Sequence, residues 1–378
     1  MAVAAIGVVL VMVILWDAFE TIVLPRRVTR KFRLTRLYYR NAWRFWSAVV
    51  SALLRGKRQE TFLSFFGPLS LLLLLIIWAT GLIVGFALVN WGGGMPIRSP
   101  EGTTGFFIYL YLSGTTFFTL GLGDVAPVGT VGRILTAVEA GLGFGFLALI
   151  IGYLPALNQS FSRREVNISL LDARAGSPPT AAELLMRRCR DADASEALLQ
   201  YLIAWERWAA ELRESHLSYP VLAYFRSQHD NQSWLAALTA ILDTSSFVIA
   251  AIEGPCARQA QLTFAITRHA IVDLALVFKR APLKPRHERL PAEAFARLRE
   301  TLAEEGLPMK EGEDIEKELA ELRMLYEPYV NALSRYFRLF VPPWHLETKR
   351  RDNWMTSAWE RGEKAAKAVG LDEEDEHF

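Results

Sequence analysis

Three long runs almost free of charge, residues 2–24, 62–91 and 134–157, limit what this chain can fold into. Each is long enough to cross about 30 Å of hydrocarbon as a helix. In lipid the backbone finds no water, so a spanning segment must satisfy its own N–H and C=O groups, as a helix does. The remaining residues mix charge and apolar side chains as a soluble protein does. The formal net charge of +2 averages over that unevenness. The first run has neither the basic start nor the small-residue cleavage site of a signal peptide, which makes it an expected membrane anchor. Asp17 and Glu20 stand near its end, and Glu139 alone interrupts the third run.

Orientation follows from the segment between the first two runs. It carries Arg26, Arg27, Arg30, Lys31, Arg33, Arg36, Arg40, Arg44, Arg55, Lys57 and Arg58 against Glu60 alone. Basic loops stay on the cytoplasmic side. The amino terminus is therefore expected outside, with residues 25–60 inside. Arginines interleaved with Leu, Tyr, Trp and Phe at helical spacing suggest an interfacial helix on anionic lipid rather than a nucleic-acid surface. Asp17 and Glu20 share a helix face. Two readings stay open for them: a helix end reaching the headgroups beside Arg26 and Arg27, or a pair contacting the basic segment or the soluble half.

Between the second and third runs lies the stretch Thr119, Leu120, Gly121, Leu122, Gly123, Asp124, preceded by the apolar residues 105–118. Glycine at every second place suits a backbone that repeatedly enters conformations only glycine adopts cheaply. The segment resembles the pore loop of tetrameric potassium channels, whose usual filter reads T-V-G-Y-G-D. Its form is most like the second pore loops of two-pore-domain potassium channels. The resemblance covers residues 62–157 and includes Pro127, Gly132-Arg133 and Gly143 at the family's hinge spacing.

The resemblance implies backbone carbonyls coordinating dehydrated K+ ions, with the Thr119 hydroxyl at the inner end and the Asp124 carboxylate at the outer mouth. It implies a short pore helix over 105–118 and a cavity lined by Phe144, Leu147 and Ile151 below Gly143. Leu122 stands where most members have tyrosine, and Leu112 occupies the position of that tyrosine's partner. An apolar pair there leaves no orphan polar group. Glu139 is expected to bond a pore-helix hydroxyl such as that of Thr115, or to act on ions or the filter. Pro155 cannot donate to the Ile151 carbonyl and is expected to kink or end the helix at the inner mouth.

Beyond the spans, Gly176-Ser177-Pro178-Pro179 reads as a linker and the pattern is then helical throughout. Candidate helices cover 181–191, 195–215, 219–228, 233–252, 257–279, 291–305, 314–340 and 349–368. Thr180 with Glu183 forms a capping box at the first. The end, 371–378, is acidic. Cys189 and Cys256 read as reduced buried thiols, and the six histidines show no metal-ligand spacing. No catalytic constellation, glycine-rich dinucleotide loop or phosphate loop is present in the sequence.

These readings converge on an all-α integral membrane protein. It has three membrane helices and a re-entrant pore helix with filter (1–24 and 61–160), an interfacial segment (25–60) and a helical cytosolic domain (161–370). The expected function is a homotetrameric, plasma-membrane potassium channel. It carries K+ in the filter, needs no organic cofactor or nucleic acid, and answers to an unknown cytosolic ligand or protein. A non-selective cation channel and a membrane-anchored scaffold with a non-conducting pore are the alternatives; an enzyme is not expected.

Overall fold

A computed structural model describes residues 1–24, 33–100, 102, 105–189, 194–228, 231–285, 287–310 and 314–346. The chain divides into two units, Met1–Ser160 and Phe161–Phe378. Both are helical.

In the first unit, α1 (Ala2–Ala18) ends in a π-helical turn, Phe19–Val23. Helix α2 (Leu34–Leu53) and the short α3 (Lys57–Ser64) lead into α4 (Phe66–Gly92). The pairing of α1 with α4 rests on glycines. A Cβ on Gly7 would lie 2.6 Å from the Gly85 carbonyl oxygen, and one on Gly92 would strike the Ala4 backbone. With no hydrophobic effect inside lipid, close backbone approach supplies the packing that joins such helices.

Asp17 settles one open reading. It is 3% exposed and accepts from the Thr35 N–H at 3.2 Å, the Thr35 hydroxyl at 2.5 Å and Trp78 Nε1 at 3.1 Å. It therefore satisfies the amino end of α2 instead of reaching toward headgroups. Glu20 accepts from Trp16 Nε1 at 2.8 Å and lies 3.5 Å from Arg33. The pair contacts the basic segment; Arg26 and Arg27 lie outside the described residues.

A two-stranded ribbon joins β1 (Ile97–Arg98) to β2 (Ala126–Pro127), antiparallel, with Ile97 opposite Pro127. Between them runs α5 (Phe106–Phe117), and after them α6 (Thr130–Ala175). Of the two outcomes expected at Pro155, an end to the helix does not occur: Pro155 lies inside α6, and residues 158–175 continue it up to the turn at 176–179. Proline removes one hydrogen bond, that to the Ile151 carbonyl. The helix beyond it is held by packing within the second unit, where Ile168, Leu171 and Ala175 are at most 1% exposed.

The second unit contains α7 (Ala181–Cys189), α8 (Ala194–Ser218), α9 (Trp234–Ala251), α10 (Pro255–Val277), α11 (Ala292–Glu304), α12 (Asp314–Met324) and α13 (Glu327–Phe337). Thr180 caps α7 by accepting from the Glu183 N–H at 3.2 Å. Helix α9 is apolar enough to cross a membrane, yet every one of its residues is buried within this unit. It is a core helix, with Asp243 held by Arg289 at 2.6 Å and by the Tyr326 hydroxyl at 2.6 Å.

Two expected helices come out differently. Residues 220–224 form only a 3₁₀ turn, begun by Pro220. The expected helix over 314–340 is two helices, because Pro328 cannot donate to the preceding turn and opens α13 instead. Residues 349–368 and 371–378 lie outside the described residues, as do the side chains of Arg188 and Cys189. Cys256 is buried and its Sγ donates to the Ser195 carbonyl at 3.1 Å; burial raises the thiol above its usual range.

Candidate pore and filter

Helix α5 delivers the chain to the filter stretch. Its last turn is closed by Thr119 N–H to Thr116 O at 2.9 Å and Leu120 N–H to Thr115 O at 2.8 Å. From there φ is positive at alternate residues: +57° at Thr119, +55° at Gly121 and +79° at Gly123. The glycines fall where the left-handed region is visited, and Thr119 is a third such position that its residue type does not announce.

All six residues from Thr119 to Asp124 are exposed in the single chain, with Leu120 and Leu122 each 64% exposed. Leu112 is buried at 6%, so the two leucines occupy different surroundings within one chain.

The outer end is tied to its own pore helix. The Tyr111 hydroxyl donates to Asp124 Oδ2 at 2.8 Å. The Tyr109 hydroxyl donates to the Met95 carbonyl at 2.6 Å, fixing α5 to the turn before β1. The ribbon β1–β2 continues the same anchoring, with Val128 N–H to Pro96 O at 3.0 Å. Sequence reasoning missed Tyr111; its place thirteen residues before the mouth carboxylate, on a helix aimed at it, was the available signal.

Behind the pore helix the expected carboxylate contact exists, with a different hydroxyl. Glu139, 1% exposed, is hydrogen-bonded to Ser113, whose Oγ also lies 2.9 Å from the Ile83 carbonyl. Thr115 instead folds its hydroxyl back to the Leu112 carbonyl at 3.0 Å. Ser113 lies two residues before Thr115, on the side of α5 turned to α4 and α6.

Gly143 is buried, and a Cβ there would strike the Phe117 carbonyl oxygen. There the α6 backbone passes directly against the end of the pore helix. Phe117 and Phe146 rings, 5.9 Å apart, pack beside it. Phe144, Leu147, Ile151 and Pro155 are all exposed in the single chain, on the part of α6 assigned to the cavity.

Outer helix, re-entrant pore helix, glycine-alternating ribbon and inner helix together define a membrane protein with one pore loop per chain. Residues 71–159 match the family model described as ion channel. The uncharacterized membrane protein YdjJ of Bacillus subtilis (strain 168) is 29% identical over 188 residues, 48% of this chain and 52% of that protein. The chain thus spans about half the length of that relative. No solved structure matches the chain.

Proposed function

We propose that this chain is one subunit of a potassium-selective or potassium-preferring channel, in which four copies close a filter formed by Thr119 to Asp124. The observation that carries this reading is the ribbon itself. A backbone with positive φ at every second residue, presenting two leucines to solvent, is costly as a finished surface and suits one shared around an axis. A single pore loop needs three more to surround an ion. Potassium is then cargo, coordinated by backbone carbonyls in place of its water.

Leu122 favours a second reading in which selectivity is relaxed, since leucine offers no hydroxyl to brace the filter. The apolar residues Phe144, Leu147 and Ile151 suit a constriction that closes by dewetting. The second unit is the regulatory part, on the cytoplasmic side of the plasma membrane, where a ligand or partner binding one arrangement better shifts the gate.

Flux into liposomes tests this. Potassium should enter vesicles containing the wild-type chain, and Gly121→Ala should abolish entry while oligomers persist, because each left-handed alanine costs about 1–2 kcal/mol. Normal flux through Gly121→Ala would overturn the pore assignment. A bi-ionic reversal potential showing equal sodium and potassium permeability would reduce the proposal to a cation channel.

A further inference from the structure

Helix α2 has two apolar faces, and the protein covers only one. Thr35, Tyr39, Trp43, Ser47 and Val50 form the buried face. They sit against the ends of the membrane helices. The Tyr38 hydroxyl donates to the Ser70 carbonyl at 2.8 Å, Trp46 Nε1 to the Phe62 carbonyl at 3.1 Å, and the Trp43 ring meets Phe66 at 4.9 Å. Thr35 is held by Asp17 near the end of α1. Burial first, and the Tyr153 phenol second, raise the Tyr39 hydroxyl well above its usual value.

The second face carries Phe45, Val49 and Leu53, which are 72%, 38% and 76% exposed. On the side of α2 opposite that stripe, Arg36, Arg40 and Arg44 follow at four-residue spacing. No acidic residue occurs in α2, and among the described residues none of these three guanidiniums has an ion-pair partner. Arg55 and Arg58 follow directly.

We propose that α2 lies on the membrane surface with Phe45, Val49 and Leu53 in the acyl region, while Arg36, Arg40 and Arg44 hold the phosphates of anionic lipids. An uncovered apolar stripe with unpaired cations on the opposite side of the helix, at the level where two membrane helices end, matches a lipid leaflet in both charge and depth. Guanidiniums also hold phosphate oxygens bidentately, which an ammonium does not. The inference rests on reading the first unit as membrane-embedded, and it names the lipid class and the residues that take it.

The test measures association of spin-labelled phosphatidylglycerol and phosphatidylcholine with the full-length protein in detergent micelles. Wild type should prefer phosphatidylglycerol by more than about tenfold, since three surface cations at about 1 kcal/mol each exceed the roughly 1.4 kcal/mol that a tenfold ratio needs. The triple variant Arg36→Gln, Arg40→Gln, Arg44→Gln should bring the two lipids to near parity, while the triple Lys variant keeps most of the preference. Phe45→Ser with Leu53→Ser should weaken both lipids and leave their ratio unchanged. Inorganic phosphate at equal concentration should not displace the lipid.

A wild type without preference, a triple Gln variant that keeps it, or displacement by inorganic phosphate would each overturn the proposal. Ion flux is not the readout. A chain that shows the preference without conducting would overturn the channel reading and leave this one standing.

Discussion

In the proposed channel, the carboxylate at the filter mouth is useful only if it stays where the ion passes. Here the Tyr111 hydroxyl holds Asp124 at 2.8 Å from the same chain's pore helix. Tyr111→Phe removes that donor and keeps the ring. Potassium current through this variant should start normally and then decline faster during sustained opening, read in planar bilayers. Unchanged decay would show that the hydroxyl does not brace the filter. Gly143 makes the opposite demand, for absence. An alanine methyl there would strike the Phe117 carbonyl, a backbone atom that cannot swing aside. Gly143→Ala should therefore lower thermal stability in detergent by the equivalent of about 1–3 kcal/mol, the usual cost of overpacking. A variant as stable as wild type would make Gly143 a bending point and not a packing point.

The pore helix, the outer helix and the inner helix meet at one hydroxyl. Ser113 Oγ has a single hydrogen, and both the Ile83 carbonyl and Glu139 are within its reach. When that hydrogen serves Ile83, the bond to Glu139 needs a donor on the Glu139 side. An amide supplies one. Glu139→Gln should therefore fold and melt close to wild type, whereas Ser113→Ala should lose about 1–3 kcal/mol by leaving the buried Glu139 carboxyl without its hydroxyl partner. Thermal melts of both variants in one detergent decide it, and a Glu139→Gln protein less stable than Ser113→Ala would refute the hydrogen count. The sequence showed that Glu139 needed a partner on α5 but not which hydroxyl, because Ser113 and Thr115 differ only in the side of a short helix they occupy. The alternating backbone at Gly121 and Gly123 was legible because residue type and spacing both answer to one conformational requirement, positive φ. The glycine seam at Gly7, Gly85 and Gly92 was not, since glycine within an apolar run looks alike whether or not another backbone passes over it. Asp17 was half legible, a costly carboxylate whose Thr35 partner lies 18 residues away. The reach of α6 past Pro155 was hidden because its support comes from tertiary packing at Ile168 and Leu171, which no local propensity records.

Each of the two units has its own core, and the boundary at Ser160–Phe161 falls inside helix α6. Within the second unit, the continuation of α6 is gripped by Arg164, which donates to the Leu222 carbonyl at 2.9 Å and the Phe225 carbonyl at 3.0 Å. Beside it lies His216, fully buried, with Nδ1 donating to the Leu212 carbonyl at 2.9 Å and Nε2 3.4 Å from Arg164. Burial first, and the Arg164 charge second, push His216 down to about 3 from its ordinary 6.5. Between those values the unfolded chain binds a proton that the folded His216 refuses. Stability from this site is thus complete above pH 6.5 and is lost on acidification, with a slope approaching about 1.4 kcal/mol per pH unit. Lowering the pH from 7 to 5 should therefore loosen residues 205–225 of the full-length protein, seen as faster hydrogen exchange, with α1 and α4 of the first unit unaffected. His216→Gln, which can still donate to Leu212, should flatten that response. Because the loosened contacts hold the same helix that carries Ile151, potassium flux should change over the same pH interval in wild type and not in His216→Gln. Equal acid loosening in both proteins would move the sensitivity to another group, and loosening without any change in flux would separate the second unit from the gate.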